Sequence, residues 1–263
     1  MTMPISIVLY ALTFLYGIVI GSFLNVCIYR IPKQESIVTV GSHCMNCNHP
    51  LAWYDLFPLF SFLFLGGKCR YCKVKLSPQY PIIEATNGVL YVLTFMVLGF
   101  HIKTVLTVLL VSTLLVISVI DFRTLTIPPV LNVTILVLAV IYTGVDFVQN
   151  GYRLQVLVDH GVGFLAVSVF LFICLLLTKG RGIGGGDIKL MAVAGLYVGW
   201  KNSIFALVAG CLLGVLFECI RMAKTKEKGK FAFGPYLSAG IYLSLLVGDI
   251  FWRWYLGFLV YSG

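Results

Sequence analysis

An all-α integral membrane protein of about eight transmembrane helices, with a small cysteine-bearing loop domain after the first helix, is the fold this sequence predicts. Three observations predict it. Only 11% of the 263 residues are charged while 60% are hydrophobic, against about 25% charged in a soluble domain. The hydrophobic residues fall into runs, most of them long enough to cross a bilayer at roughly 20 residues per helix. The Lys and Arg residues collect in the connections between those runs, as membrane topology requires. The net charge of +9 therefore reads as topology, and the expected surroundings are a lipid bilayer, with no nucleic-acid partner.

The first apolar run, Ile5 to Tyr29, has no basic segment before it and no small-residue cleavage site after it, but Arg30-Ile31-Pro32-Lys33. It reads as a retained span with its C-terminal end in the cytosol. Residues 1–29 are thus the first transmembrane helix, 30–81 a cytosolic loop domain richer in Pro, Lys and Cys, and 82–263 a polytopic membrane domain. Within the last, apolar segments are expected at about Ile82–Phe100, Thr104–Ile120, Ile127–Val145, Gly161–Thr178, Ile188–Trp200, Ile204–Ile220 and Pro235–Leu259. The segment Ile188–Trp200 is too short to cross untilted. It is either a partial span or continuous with its neighbour across Trp200-Lys201-Asn202.

Charge asymmetry orients the chain. With the N-terminus outside, only Lys103, Arg153, Lys201 and Arg253 lie outside, and the other fifteen of the 19 basic residues lie inside, among them Arg181, Lys189, Lys226, Lys228 and Lys230. This places the loop domain, Asp121 and Asp187 on the cytosolic side. The stretch Ala223–Lys230 reads as a solvated loop, and Gly210-x-x-x-Gly214 as a place where two helices can approach closely.

The loop domain carries Cys44, Cys47, Cys69 and Cys72, spaced Cys-x2-Cys-x21-Cys-x2-Cys. Two such pairs bring four thiolates to the corners of a tetrahedron, the geometry of a structural zinc site. Metal binding would also supply folding energy to a loop of about fifty residues that buries little by itself. The rival is a pair of disulfides or a redox dithiol, and a reducing cytosol disfavours the disulfides. His43 and His49 flank the first pair as spectators, and Cys27, Cys174, Cys211 and Cys219 read as small buried hydrophobes.

Two carboxylates stand where apolar segments end or begin. Asp121 closes the run Thr104–Ile120, and Asp187 follows Gly184-Gly185-Gly186. Carboxylates at membrane depth are costly and mark function. Two brought together can share a proton and activate a water, as in aspartic proteases. The plain alternatives are an interfacial Asp121 paired with Arg123, and an Asp187 that caps a helix N-terminus. The glycines Gly184 and Gly186 would permit a tight turn and close approach. No Walker or Rossmann glycine pattern is present. Further candidates for substrate or cofactor contact are Lys189, Glu84, Glu218, Asn25 and Arg30. Ion-coupled transport also uses paired acids, although near the bilayer midplane rather than at helix ends, and a zinc-bearing scaffold with structural acids is a third reading.

Several ordered motifs give the chain a resemblance that covers nearly its whole length: Gly21-Ser22-Phe23-Leu24-Asn25-Val26-Cys27-Ile28-Tyr29-Arg30-Ile31-Pro32, the two cysteine pairs with Leu51-Ala52-Trp53-Tyr54-Asp55 between them, Ser77-Pro78-Gln79-Tyr80-Pro81-Ile82-Ile83-Glu84, Asp121, Gly184-Gly185-Gly186-Asp187, and Phe233-Gly234-Pro235-Tyr236-Leu237. In these it resembles the bacterial type IV prepilin leader peptidases, also called prepilin peptidase/N-methyltransferases. The resemblance implies an aspartyl endopeptidase of the bacterial cytoplasmic (inner) membrane, with Asp121 and Asp187 catalytic. Its substrates would be type IV prepilins or pseudopilins, whose basic leader it would remove after a glycine. It further implies N-methylation of the new amino terminus from S-adenosylmethionine, a function associated with the cysteine loop. A peptidase without methylase activity is the nearest alternative. The chain departs from the family pattern at Pro129, where many members have Asp or Asn, and at Leu56-Phe57-Pro58, where Asn-Ile-Pro commonly follows the acid.

Overall fold

The computed structural model describes residues 3–180, 182–225 and 231–261. Arg181, Lys226, Lys228 and Lys230, and with them most of the expected solvated loop, lie outside the described residues. The helices are α1 (Met3–Arg30), α2 (Phe60–Phe64), α3 (Gln79–Leu98), α4 (Ile102–Thr124), α5 (Pro129–Gln149), α6 (Leu154–Leu177), α7 (Gly185–Thr225) and α8 (Gly234–Tyr261). All but the one-turn α2 are long and apolar enough to cross a membrane. Among the described residues β-pairing is limited to two isolated bridges, His43 with Pro50 and Lys68 with Lys75. Large apolar side chains such as Val140, Leu165 and Leu212 remain exposed; a bilayer, not water, is the solvent for which such a surface is built.

The helix α7 unites two of the segments expected from sequence. Its 41 residues are interrupted at Gly199, with φ 79° and ψ 169°, a backbone state open to glycine and strained for other residues. The segments Ile188–Trp200 and Ile204–Ile220 are the two arms of one bent helix.

The chain divides into two compact units, Met1–Thr104 and Val105–Gly263. In the first, α1 and α3 lie close enough for glycine to be required. A Cβ on Gly17 would fall 2.7 Å from the Cα of Gly88, and one on Gly21 2.7 Å from the Cα of Glu84. This pair, spaced i, i+4 on α1, is a small-residue interface that the sequence reading passed over. Side-chain amides reinforce it: Asn87 Nδ2 donates to the Gly17 carbonyl at 2.7 Å and Asn25 Nδ2 to that of Tyr80 at 3.2 Å. The last residue of α1, Arg30, donates to the carbonyls of Ser36, Val40 and Gly41 at 3.2, 2.7 and 3.1 Å. Its planar fork thereby organises the start of the cysteine loop.

In the second unit Leu110, Ile117, Ile135, Leu190, Leu237 and Ile241 are wholly buried. Pro129 opens α5 as its first residue, where its missing N–H costs nothing. The end of α6 closes with Gly180 donating to the Leu175 carbonyl at 2.9 Å, the bond that caps a helix through a left-handed residue. Of the Gly210/Gly214 pair, Gly210 makes the close approach: a Cβ there would meet the Tyr236 carbonyl at 3.0 Å, whereas at Gly214 the nearest atom, on the Tyr236 ring, is 3.5 Å away.

The break at Gly199 is held by its neighbours. In an unbroken helix the Leu196 carbonyl would accept from Trp200. Here it accepts from His160 Nδ1 at 2.7 Å and Thr143 Oγ1 at 3.3 Å, and His160 Nε2 faces Asp146 Oδ2 at 3.4 Å. Beside it the Tyr142 and Tyr197 rings lie 4.2 Å apart, and Tyr197 meets Thr107 Oγ1 at 3.1 Å. One end of the unit is thus closed by a polar network, and the opposite end carries the last turn of α4 and the first turns of α5, α7 and α8.

Candidate active site and metal centre

Asp121 lies in the last full turn of α4 and Asp187 in the first turn of α7, at the same end of the second unit. Their exposures are 5% and 8%. They lie near enough for Asp187 to feel the charge of Asp121. Each carboxylate also closes a helix. Asp121 Oδ2 accepts the N–H of Gly234, the first residue of α8, at 2.9 Å. Asp187 Oδ2 accepts the N–H of Gly184 at 3.3 Å, and its own N–H returns to the Gly184 carbonyl at 3.1 Å. That is one half of a capping box, with the acid three residues after the cap. Each carboxylate thus meets the positive end of a helix dipole, that of α8 for Asp121 and that of α7 for Asp187, although Asp121 itself stands in the C-terminal turn of α4. The capping role weighed for Asp187 is therefore present, and Asp121 has a counterpart that sequence reasoning missed.

The glycines around the acids divide by what they face. A Cβ on Gly234 would fall 2.7 Å from Asp121 Oδ2, one on Gly186 3.2 Å from the Cβ of Ile127, and one on Gly184 3.1 Å from Asp187 Oδ2; Gly185 has open space. At the outer glycines of Gly-x-Gly-Asp an added Cβ would thus make a neighbouring side chain give by a few tenths of an ångström, and at the middle one it would not. Lys189 is exposed. Glu218 is occupied in joining α7 to α8: its Oε2 accepts from Arg221 Nε at 2.7 Å and its Oε1 from the Tyr236 hydroxyl at 3.1 Å. Asn132, in the first turns of α5, is 6% exposed, and neither polar atom of its side chain has a protein partner.

In the first unit the Sγ atoms of Cys44, Cys47, Cys69 and Cys72 all lie within 4.8 Å of one another, and those of Cys44 and Cys72 are 3.8 Å apart. A tetrahedron with metal–sulfur bonds of about 2.3 Å has edges of about 3.8 Å. The two cysteine pairs are built alike. Asn48 donates to the Cys44 carbonyl at 2.9 Å and Lys73 to that of Cys69 at 3.0 Å. Both donors have left-handed φ, 54° and 60°. The N–H of Cys44 returns to the His49 carbonyl at 3.0 Å and that of Cys69 to Val74 at 2.9 Å. The Val74 N–H, helped by the side chains of Asn46, Cys47 and Cys69, brings the Cys72 thiol down to about 6. At Cys47 the His49 N–H pulls the same way, but desolvation and the neighbouring thiols push it up to about 11. Four sulfurs this close cannot all be thiolates unless a cation shares the site, so the donor set fits a metal ion.

Asp55 supports the second pair from outside the sulfur cluster. It accepts from Arg70 Nε at 2.6 Å, the Tyr71 hydroxyl at 3.2 Å and the Ala52 N–H at 3.3 Å. Burial pushes its carboxyl up, but the bonds from Arg70 and Ala52 outweigh it and hold Asp55 below the usual carboxylate range. The His49 ring packs on Tyr71 at 3.7 Å between centroids, so this histidine bridges the pairs as a packing partner. Asn25 and Arg30 act within the unit as described. Glu84 is buried on α3 and accepts the Leu59 N–H at 2.8 Å. At Leu59 the backbone has φ 60° and ψ −51°, and Phe60 donates to the Pro58 carbonyl at 2.6 Å. This is a γ-turn of the rare, strained hand, which no feature of the sequence announces.

Each of the two units holds a match to one family model. Residues 15–98 match the bacterial Peptidase A24 N-terminal domain, and residues 108–219 match the type IV leader peptidase family. Curated relatives named prepilin leader peptidase/N-methyltransferase align along nearly the whole chain. That of Aeromonas hydrophila is 30% identical over 94% of this chain and 93% of its own. That of Pseudomonas aeruginosa is 30% identical over 97% and 95%, and that of Bacillus subtilis 30% identical over 91% and 94%. No solved structure matches. Family models over both units and relatives that align end to end lead to one conclusion: the chain belongs to the type IV leader peptidase family.

Proposed function

We propose that this protein is a membrane aspartyl endopeptidase that removes the basic leader of type IV prepilins or pseudopilins after a glycine, and then methylates the new amino terminus from S-adenosylmethionine. The observation that carries the peptidase half is the pair Asp121 and Asp187, buried at one end of the second unit and within each other's field. One carboxylate, ionised, takes a proton from a bound water, which attacks the scissile carbonyl. The other, protonated, donates to the carbonyl oxygen as charge develops there. The backbone N–H groups of Gly234 and Gly184 fix the two carboxyl groups for this work. Like charges at close range share a single proton.

The names of the relatives support methylation as the second activity and give no support to ion-coupled transport. S-adenosylmethionine, when bound, supplies an electrophilic methyl group. Cys44, Cys47, Cys69 and Cys72 would hold a structural Zn2+ that folds the loop domain of residues 30–81. The distribution of basic residues supports a site in the bacterial cytoplasmic membrane, with the loop and both aspartates facing the cytosol.

The test is mass spectrometry of a type IV prepilin incubated with this protein in membranes and S-adenosylmethionine, beside the Asp187→Asn variant. Loss of the leader with one added methyl group, absent with the variant, is expected. Cleavage without methylation leaves a peptidase alone, and an intact prepilin with the unaltered protein overturns the reading.

A further inference from the structure

In the first unit α1, the cysteine loop and α3 frame a half-open hollow of about 960 Å³, whose walls include Tyr29, Tyr80, Glu84, Phe57 and Phe62. Small-molecule sites span roughly 300–1,000 Å³. A second hollow, of about 550 Å³ against α5, is lined by Ile141, Gly144, Val145, Val148 and Gln149 and offers no ionisable group.

The walls of the first hollow carry charges of both signs, with Arg30, Lys33, Arg70 and Lys75 beside Glu35, Asp55 and Glu84, and suit a ligand that is itself a zwitterion with an added cation. Glu84 is 6% exposed and, among the described residues, its carboxyl meets only the Leu59 N–H and the Ser22 hydroxyl. No basic side chain is paired with it there. Asp55, on the same wall, is by contrast committed to Arg70 and Tyr71. A buried carboxyl without a cationic partner is costly, and a cationic ligand removes the cost. Beside it the rings of Tyr29 and Tyr80, which stack on each other at 5.7 Å and 25°, line the same hollow, and aromatic rings attract a cation. The strained turn at Leu59 is held by its bond to Glu84, and such strain clusters where ligands are gripped.

We propose that this hollow binds S-adenosylmethionine, with the sulfonium against Tyr29 and Tyr80 and the α-ammonium on Glu84. The proposal rests on the methylase half of the function above and assigns its donor site. Among the methyl donor and its product, only the donor carries the sulfonium charge, whereas both carry the α-ammonium. The two contacts therefore leave different signatures.

The experiment is equilibrium binding of S-adenosylmethionine and of S-adenosylhomocysteine to the full chain in lipid nanodiscs, with ultraviolet crosslinking of the tritiated donor followed by peptide mapping. The unaltered protein is expected to prefer the donor by about tenfold. Tyr80→Phe keeps the preference and Tyr80→Leu removes it by weakening the donor alone. Glu84→Gln weakens both ligands alike. The label falls on peptides that contain Tyr29 or Tyr80, a readout that does not depend on any variant folding. Donor binding with the label elsewhere, or a preference unchanged in a folded Tyr80→Leu protein, overturns the pocket and leaves the methylase reading intact. No donor binding by a protein that still cleaves prepilin overturns both the pocket and the methylase reading.

Discussion

At Asp121 and Asp187 one atom serves both the chemistry and the architecture, since each Oδ2 that belongs to the acid also closes a helix. An amide oxygen can accept the same N–H. Asp121→Asn and Asp187→Asn are therefore expected to keep a melting temperature near that of the unaltered protein while leader removal falls at least about a hundredfold. The corresponding alanine variants lose about 1 kcal/mol of stability as well, the usual worth of a cap. Thermal unfolding alongside a cleavage assay separates the two effects. The glycines make a finer distinction. Gly185→Ala enters open space and leaves cleavage unchanged, whereas Gly186→Ala presses on Ile127 and slows it by about tenfold through displacement of Asp187. Equal rates for the two variants would contradict the steric account. The acids and cysteines were legible in the sequence because carboxylates at span ends and paired Cys-x-x-Cys are rare and local. The partner of Asp121 was not, because Gly234 lies 113 residues away and its contribution is a backbone N–H that any residue type carries. Leu59 was equally hidden, since leucine gives no warning of a left-handed turn.

Among the elements, the cysteine loop and the bent α7 each depend on polar bonds made far from their own backbone. Asp55 steadies the second cysteine pair through Arg70 and Tyr71, and its carboxyl lies below its ordinary value of 3.8. A depressed carboxyl stabilises the fold above that ordinary value and loses the effect as pH falls through the folded one. Asp55→Asn is expected to be less stable than the parent at pH 7, with the gap closing below pH 3.8; melting curves across that range check it. In α7 the freed Leu196 carbonyl depends on His160 and Thr143. Removing the imidazole in His160→Ala costs about 1–3 kcal/mol, the penalty for a buried acceptor that loses its main donor, and is read as a lower melting temperature. Hydropathy made the helices themselves legible, and the shortness of Ile188–Trp200 signalled an irregularity beside Trp200. It did not give the bend, because the signal is a positive φ at Gly199 in a chain with 26 glycines.

For the molecule as a whole, the separation into two units has an experimental counterpart. All four cysteines and the proposed donor pocket lie in Met1–Thr104, and both acids in Val105–Gly263. A strong zinc chelator is expected to abolish methylation of a prepilin and to leave cleavage largely intact, as followed by the mass of the product. Loss of cleavage on chelation would instead make the metal part of the peptidase. The bend at Gly199 also governs how the chain enters the bilayer. A straight helix of 41 residues would reach about 60 Å, twice the hydrocarbon thickness of about 30 Å. Under the membrane topology proposed above, the break would let the two arms of α7 cross in opposite directions as a pair. A residue that restored the rod at Gly199 would leave α8 to enter from the opposite face, and Gly234 would be delivered to the wrong side of the membrane from Asp121.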